Sequence, residues 1–368
     1  MSQNKPIFIQ LDYSDDYYIQ KGNKKVPLPP KQEIIKKASK FAKQKILCYF
    51  IEGIFKNEFY ELDNNIKNEI FDSLKEDIFS LSQDFYGNYV MQSIIEYYKE
   101  KNDYIFSEFI KRDISILCLS SYGCRVVNKL IDFIEYNKIN RILQQLKGKL
   151  KLLFINQNGN HIIQKIIEKI NENEINDIYD AVFKDINELI KDIYGTRVIQ
   201  AIFNKIKDKD KIKKLIDKMF NNNSIIDLCQ NEYSNYIIQY IIEIFKEYIE
   251  TILKELKGKI IEFSKNKYGC NIIEKLLTYG NDRQKEQIYE EIIENDINDN
   301  ECIEILMKNE YGNYIIQKII DNYKNNNSGD KLKEIINKVG QNIRINNSKN
   351  NDVYKYYKFI EQKLENIN

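Results

Sequence analysis

The chain predicts an all-α solenoid, and three observations carry that prediction. A block of seven residues recurs: Tyr-Gly-Asn-Tyr-Val-Met-Gln at 86–92, Tyr-Gly-Cys-Arg-Val-Val-Asn at 122–128 and Asn-Gly-Asn-His-Ile-Ile-Gln at 158–164. It returns as Tyr-Gly-Thr-Arg-Val-Ile-Gln at 194–200, Tyr-Ser-Asn-Tyr-Ile-Ile-Gln at 233–239, Tyr-Gly-Cys-Asn-Ile-Ile-Glu at 268–274 and Tyr-Gly-Asn-Tyr-Ile-Ile-Gln at 311–317. A fixed period in this range marks stacked helical repeats that share one continuous core, so length alone does not divide the chain into several domains. All four prolines lie within the first 30 residues, so the rest has none to break a helix. That remainder is rich in Ile, Leu, Lys and Glu at 3.6-type spacing.

Taken in order, residues 1–30 read as a flexible tail that ends in the breaker cluster Val26-Pro27-Leu28-Pro29-Pro30. Helical periodicity starts near Gln32, and 31–368 reads as one repeat domain. The third residue of each block falls at 88, 124, 160, 196, 235, 270 and 313, in steps of 36, 36, 36, 39, 35 and 43. A weaker copy, Cys48-Tyr49-Phe50-Ile51-Glu52, stands 40 residues before 88 and reads as a divergent first repeat, making eight. The longer steps coincide with polar stretches such as Asn221-Asn222-Asn223-Ser224 and Glu294-Asn295-Asp296, expected in loops. Within a repeat, an upstream helix such as Asn140–Leu146 leads to a short second element, Leu150–Phe154, and then to the motif helix. Ile162, Ile163, Ile166 and Ile167 form that helix's core-facing stripe. The glycine before the motif (Ser234 in one repeat) lets the preceding chain pass close and can serve as N-cap. After a linker at 325–329, the helical patterns Lys331–Val339 and Val353–Leu364 read as a C-terminal cap over 331–366.

Composition excludes more than it selects. The net charge of +1 neither argues for nor excludes nucleic acid, because only a local basic surface matters. Six cysteines without a Cys-x-x-Cys pair, and a single histidine, leave no zinc site, and no metal or cofactor is expected. Early acids and the lack of a long apolar run near the N-terminus argue against a signal peptide, and no stretch approaches ~18 apolar residues. A soluble intracellular protein with reduced thiols is expected. No nucleophile–base pair or phosphate loop points to an enzyme.

Once the apolar stripe is removed, three polar columns remain on the motif helices. In repeat order they are Cys48/Tyr49/Glu52, Asn88/Tyr89/Gln92, Cys124/Arg125/Asn128, Asn160/His161/Gln164, Thr196/Arg197/Gln200, Asn235/Tyr236/Gln239, Cys270/Asn271/Glu274 and Asn313/Tyr314/Gln317. The first and third of each triplet, four residues apart, share a helix face, while the second is rotated by roughly 100° toward the neighbouring repeat. Tyr, His and Arg offer flat faces that stack on nucleobases, and Asn and Gln carry both donors and acceptors for a base edge. A single such triplet is ordinarily a solvated helix face, and an amide ladder can be purely structural, bonding between repeats. Seven in-phase copies whose planar member changes identity but stays planar in six favour base reading. His161 falls in the planar column. Cys118, Cys229 and Cys302 read as core packing. Lys129, Lys165, Lys275 and Lys318 follow the motif and read equally as phosphate contacts or solvated lysines.

On these triplets, taken in order, residues 31–368 resemble the Pumilio-homology (PUF) RNA-binding proteins. The resemblance implies a curved crescent of three-helix repeats that binds single-stranded RNA on its concave face, one base per repeat and antiparallel. It also implies a monomeric cytoplasmic regulator of mRNA 3′ untranslated regions that represses translation or promotes decay, with protein partners on the convex face or end loops and no membrane. The implied code assigns uracil to Asn with Gln (repeats two, four, six and eight), guanine to Glu274 and adenine to Thr196/Gln200. Cys270 stands where the family usually has Ser, and Thr196 where Cys or Ser is commoner. Asn128 is one methylene shorter than the expected Gln, and Glu52, also in place of Gln, shifts repeat one from adenine toward guanine. The implied site is 5′-UGUAUNU-3′, with A the expected N, followed by A or G. Two alternatives stand: a ribosome-biogenesis member of the wider superfamily, and an armadillo- or HEAT-type scaffold that binds only protein.

Overall fold

The computed structural model describes residues 7–10, 17–21, 24–57, 64–299, 302–326, 330–346 and 354–365. From Lys31 onward every regular element among them is helical. Eight motif helices follow one another: Lys45–Phe55, Gly87–Tyr97, Gly123–Phe133, Gly159–Lys169, Gly195–Lys205, Ser234–Ile244, Gly269–Tyr279 and Gly312–Asn326.

The fourth repeat shows why these segments fold as they do. Its helices Tyr136–Leu146, Leu150–Phe154 and Gly159–Lys169 each present one apolar stripe. Ile139, Ile142, Leu143 and Leu146 of the first, Leu150, Leu153 and Phe154 of the second, and Ile162, Ile163, Ile166 and Ile167 of the third are all buried. Each such side chain contributes about 1.5–3 kcal/mol by leaving water. None of the three helices buries its stripe alone, so repeats stabilise one another by stacking.

The chain forms two compact units, 1–185 with 201–208, and 186–200 with 209–368. In the first unit the first four motif helices pack in succession, and the divergent first helix contacts the second as the second contacts the third. In the second unit the sixth, seventh and eighth do the same. There the helices Asp330–Asn346 and Tyr354–Glu365 pack on the eighth motif helix and bury Leu332, Ile335, Val339 and Ile360.

Two local expectations need correction. Part of the N-terminal 30 residues, read as a flexible tail, forms an antiparallel sheet of β1 (Ile7–Gln10), β2 (Tyr17–Lys21) and β3 (Lys24–Pro27) in the order β1-β2-β3. Ile9 pairs with Tyr18, and Ile19 with Val26. The β-branched and aromatic runs Ile7-Phe8-Ile9 and Tyr17-Tyr18-Ile19 favour strands, and Pro27 is tolerated at the end of an edge strand. The polar stretch Glu294-Asn295-Asp296 is not a loop but part of the helix Asp282–Asp299, and Asn221-Asn222 close the helix Lys209–Asn222. With no glycine or proline in the first stretch the helix runs on through it, whereas the second ends its helix and passes into a loop at Asn223-Ser224, as expected.

The glycine column answers a packing demand. A Cβ at Gly195 would lie 2.5 Å from the Leu189 carbonyl oxygen, and one at Gly123 2.7 Å from that of Leu117. Ser234, which replaces the glycine in the sixth repeat, donates its hydroxyl to the equivalent carbonyl of Leu228 at 2.6 Å. The serine turns a crowded contact into a hydrogen bond.

Candidate nucleic-acid interface

The start of each motif helix fixes the polar triplet. The residue four before the triplet is Asp84, Ser120, Asn156, Asp192, Asn231, Asn266 or Asn309. Asp84 Oδ1 accepts from the backbone N–H of Tyr86 at 2.9 Å and of Gly87 at 2.8 Å. Asp192 does the same for Tyr194 and Gly195, at 2.9 and 2.7 Å. These side chains, rather than the glycine, satisfy the free N–H groups at the helix start. This capping column lies outside the seven-residue block, but its restriction to Asp, Asn and Ser is a readable signal.

The first member of each triplet answers in the opposite direction. Asn88 Nδ2 donates to the carbonyls of Asp84 and Phe85 at 2.9 and 2.8 Å, and Asn313 Nδ2 to those of Asn309 and Glu310 at 2.9 Å each. Asn160 donates to Asn156 and Gln157, and Asn235 to Asn231. All four asparagines are buried. With the Nδ2 group turned back to the preceding carbonyls, each Oδ1 accepts from the glutamine one turn later: Gln92 at 3.0 Å, Gln164 at 2.8 Å, Gln239 at 3.0 Å and Gln317 at 2.9 Å. The amide ladder therefore bonds within each repeat. The glutamines are half-buried, and their Oε1 atoms have no partner among the described residues.

The remaining rungs differ in kind. Thr196 Oγ1 donates to the carbonyls of Asp192 and Ile193, at 3.1 and 3.2 Å. The thiols of Cys48, Cys124 and Cys270 donate to the carbonyl three residues back, at 3.3, 3.7 and 3.4 Å. Burial pushes the Cys124 and Cys270 thiols up, keeping them protonated. Asn128 and Gln200 make no hydrogen bond to their rung partners. Glu274 is exposed, and among the described residues its carboxylate makes no hydrogen bond or ion pair. Glu52 is buried and ion-paired with Lys56.

The planar column faces outward. Tyr236 and Tyr314 are 56% and 58% exposed, and Arg125, His161 and Arg197 are exposed. Tyr49 and Tyr89 are half-buried with ring centroids 6.4 Å apart, so this column does lean toward the neighbouring repeat. The guanidinium groups of Arg125 and Arg197 lie 5.9 and 6.0 Å from the rings of Tyr122 and Tyr194 in their own repeats. Asn271 instead turns back to the Lys267 carbonyl at 3.5 Å.

Three of the four lysines after the motif brace one repeat to the last. Lys129 pairs with Glu96 at 2.9 Å, Lys165 with Asp132 at 2.7 Å and Lys275 with Glu243 at 2.7 Å. For Lys318 the corresponding position is Thr278. Cys118, Cys229 and Cys302 are buried core thiols, and burial raises the first two far above the ordinary cysteine range. Among the described residues, no group of three His, Cys, Asp or Glu side chains is placed to hold a metal ion, and no helix is long and apolar enough to cross a membrane.

Fold and site together define a helical-repeat protein that carries one buried polar anchor, one amide or carboxylate and one mainly planar group per repeat. The model of the Pumilio-family RNA binding repeat matches residues 77–108, 114–147, 155–183, 185–220, 224–257, 259–293 and 303–326. The chain belongs to this family of repeat proteins. The divergent first repeat lies outside the matched stretches. The mRNA-binding protein PUF3 of Saccharomyces cerevisiae is 30% identical over 98 residues, 25% of this chain and 10% of that protein, so the match spans about a tenth of the relative. The Puf3 RNA binding domain bound to the Cox17 RNA 3′ UTR recognition sequence is similar over 90% of this chain and 96% of its own, with a TM-score of 0.76 and 26% identity. PUF-8 in complex with PBE-RNA is similar at the same TM-score and identity, over 91% and 94%.

Proposed function

We propose that this chain binds single-stranded RNA in a sequence-specific way, one base per rung, in UGUA-type elements of mRNA 3′ untranslated regions. The observation that carries the reading is the division of the rungs into two kinds. At four rungs a buried asparagine holds the glutamine by its Nε2, leaving Oε1 as an acceptor for the N3–H of uracil. At the seventh rung an open carboxylate takes the two N–H donors of guanine's Watson–Crick edge. The exposed Tyr, His and Arg groups stack on the bases. The fold-level neighbours, described as RNA complexes, support the same ligand class.

Read antiparallel from the eighth rung, the chain selects 5′-UGUAUNU-3′ and one further base. The bound message is repressed or sent to decay in the cytoplasm by proteins recruited to other faces, and the RNA-binding unit acts as a monomer. A double replacement, Cys270→Asn with Glu274→Gln, rebuilds the seventh rung as a uracil rung. It should move the preferred second base from G to U in equilibrium binding to oligonucleotides varied at that base. Unaltered preference would sink the rung-by-base assignment.

A further inference from the structure

Charge is not spread evenly along this nearly neutral chain. Residues 31–45 form the helices Lys31–Lys36 and Ala38–Ala42 and open the first motif helix. They hold six lysines against the single acid Glu33, in a chain whose net charge is +1. Lys36, Lys37, Lys40, Lys43 and Lys45 are all exposed. Lys36, Lys40 and Lys45 make no hydrogen bond or ion pair among the described residues. Lys43 Nζ reaches the neutral Ser80 hydroxyl, at 3.4 Å. Lys37 pairs with Glu33 at 2.8 Å, but both side chains are exposed, and such a surface pair is worth little. Lys36, Lys37, Lys40 and Lys43 line a surface hollow of about 620 Å³ together with Ser39 and Asp77. Asp77 accepts from the hydroxyls of Ser39 and Ser80 and pairs with no lysine among the described residues. A second lysine-rich run, Lys207–Lys214, differs: it alternates with Asp208 and Asp210, and its Lys213 pairs with Glu247 at 3.0 Å.

The basic segment runs directly into the first rung. Lys45 opens the first motif helix, its carbonyl accepts from the Cys48 thiol at 3.3 Å, and it stands one turn before Tyr49 on the same helix face. We propose that the lysines of residues 36–45 extend the interface beyond the first rung and hold the phosphates of the nucleotides that follow the eight-base element on its 3′ side. This rests on the antiparallel base-per-rung reading above, which brings the 3′ end of the element to the first rung. Lys129, Lys165 and Lys275, on the motif helices, are already neutralised by Glu96, Asp132 and Glu243. The uncompensated ammonium groups at 36–45 are where a departing strand meets positive charge. A lysine acts on phosphate as a point charge and reads no base edge, so the extension adds affinity without adding sequence.

The test is equilibrium binding of the full chain to 5′-UGUAUAUA-3′ alone, with six uridines added at its 3′ end, or with the same six at its 5′ end. At about 50 mM salt the 3′ extension should tighten binding about tenfold more than the 5′ extension does, and most of that gain should vanish by about 200 mM, as release of counterions from two or three phosphates requires. Six adenosines should serve as well as six uridines. Replacing Lys36, Lys40 and Lys43 together with glutamine should abolish the gain and leave affinity for the bare element unchanged, whereas arginine at all three should keep it. Lys36→Gln with Lys40→Gln, which disturbs no hydrogen bond, serves if the triple variant does not fold. A 3′ extension that adds nothing beyond the 5′ extension overturns the proposal, as does a glutamine variant that keeps the gain. Binding to phosphatidylserine vesicles that the glutamine variant loses, with no 3′ gain on RNA, would give the patch to a membrane surface instead and overturn it too. If the bare element binds no better than a scrambled one, the base-per-rung reading itself fails, and this inference with it.

Discussion

At the scale of single residues, function is assigned to side chains whose neighbours leave them nothing else to do. Tyr236 and Tyr314 expose more than half their surface, bury little and accept no structural role from the core. Replacing either with alanine should therefore weaken RNA binding by about 1–3 kcal/mol, the range for one base stacked on one aromatic ring. The melting temperature should stay unchanged. A binding titration beside a thermal melt checks both halves, and a variant that keeps full affinity rules out stacking at that rung. The triplets were legible in the sequence because they repeat in phase. What the sequence hid was the state of each member. Glu52 and Glu274 look equivalent in a column, yet only one is open, because the ion pair to Lys56 depends on burial and side-chain direction.

At the scale of the element, the motif helix is set at both ends by contacts the seven-residue block does not contain. Its start is capped by the column Asp84, Ser120, Asn156, Asp192, Asn231, Asn266 and Asn309, which also holds the first triplet residue in place. Asp192→Ala should cost about 0.5–2 kcal/mol of stability, as loss of a helix cap does, measured by denaturant unfolding. The Thr196 hydroxyl should keep its bond, since it donates to the backbone carbonyl of residue 192, which alanine retains. Undiminished stability would show that the cap is dispensable. From the sequence, the lysines after the motif read equally as phosphate contacts or solvated side chains. Three of them proved to be braces, because their carboxylate partners sit 33 residues back, or 32 in the case of Lys275, and only stacking brings them close. The hydrogen bond from Lys275, joined by one from Tyr279, holds the Glu243 carboxyl below the usual carboxylate range. A folded value below the unfolded one means that the pair stabilises above the unfolded pKa of about 4.3 and that this contribution is lost as pH falls through the lower folded value. The stability gap between wild type and Glu243→Gln should accordingly be open near neutral pH and close in acid. A gap that persists at acid pH would assign it to packing instead. The N-terminal strands escaped sequence reading because they are four or five residues long and border a proline cluster, where no periodicity has room to develop.

At the scale of the whole molecule, the chain is a series of near-identical parts that gain stability by stacking and information by differing. The period alone announced the solenoid, because helices with one apolar stripe must stack to bury it. The Glu294-Asn295-Asp296 insertion is helical for the same reason that the array tolerates it: a helix such as Asp282–Asp299 lengthens without moving the motif it precedes. On the proposed reading the order of the rungs is the order of the bases, so the expected target is a sequence. In vitro selection from a random RNA pool with the full chain measures it directly. Enrichment of 5′-UGUAUNU-3′, with G at the second base, is the expected result. A pool with no enriched motif, or one enriched in a sequence that breaks the UGUA order, would contradict it.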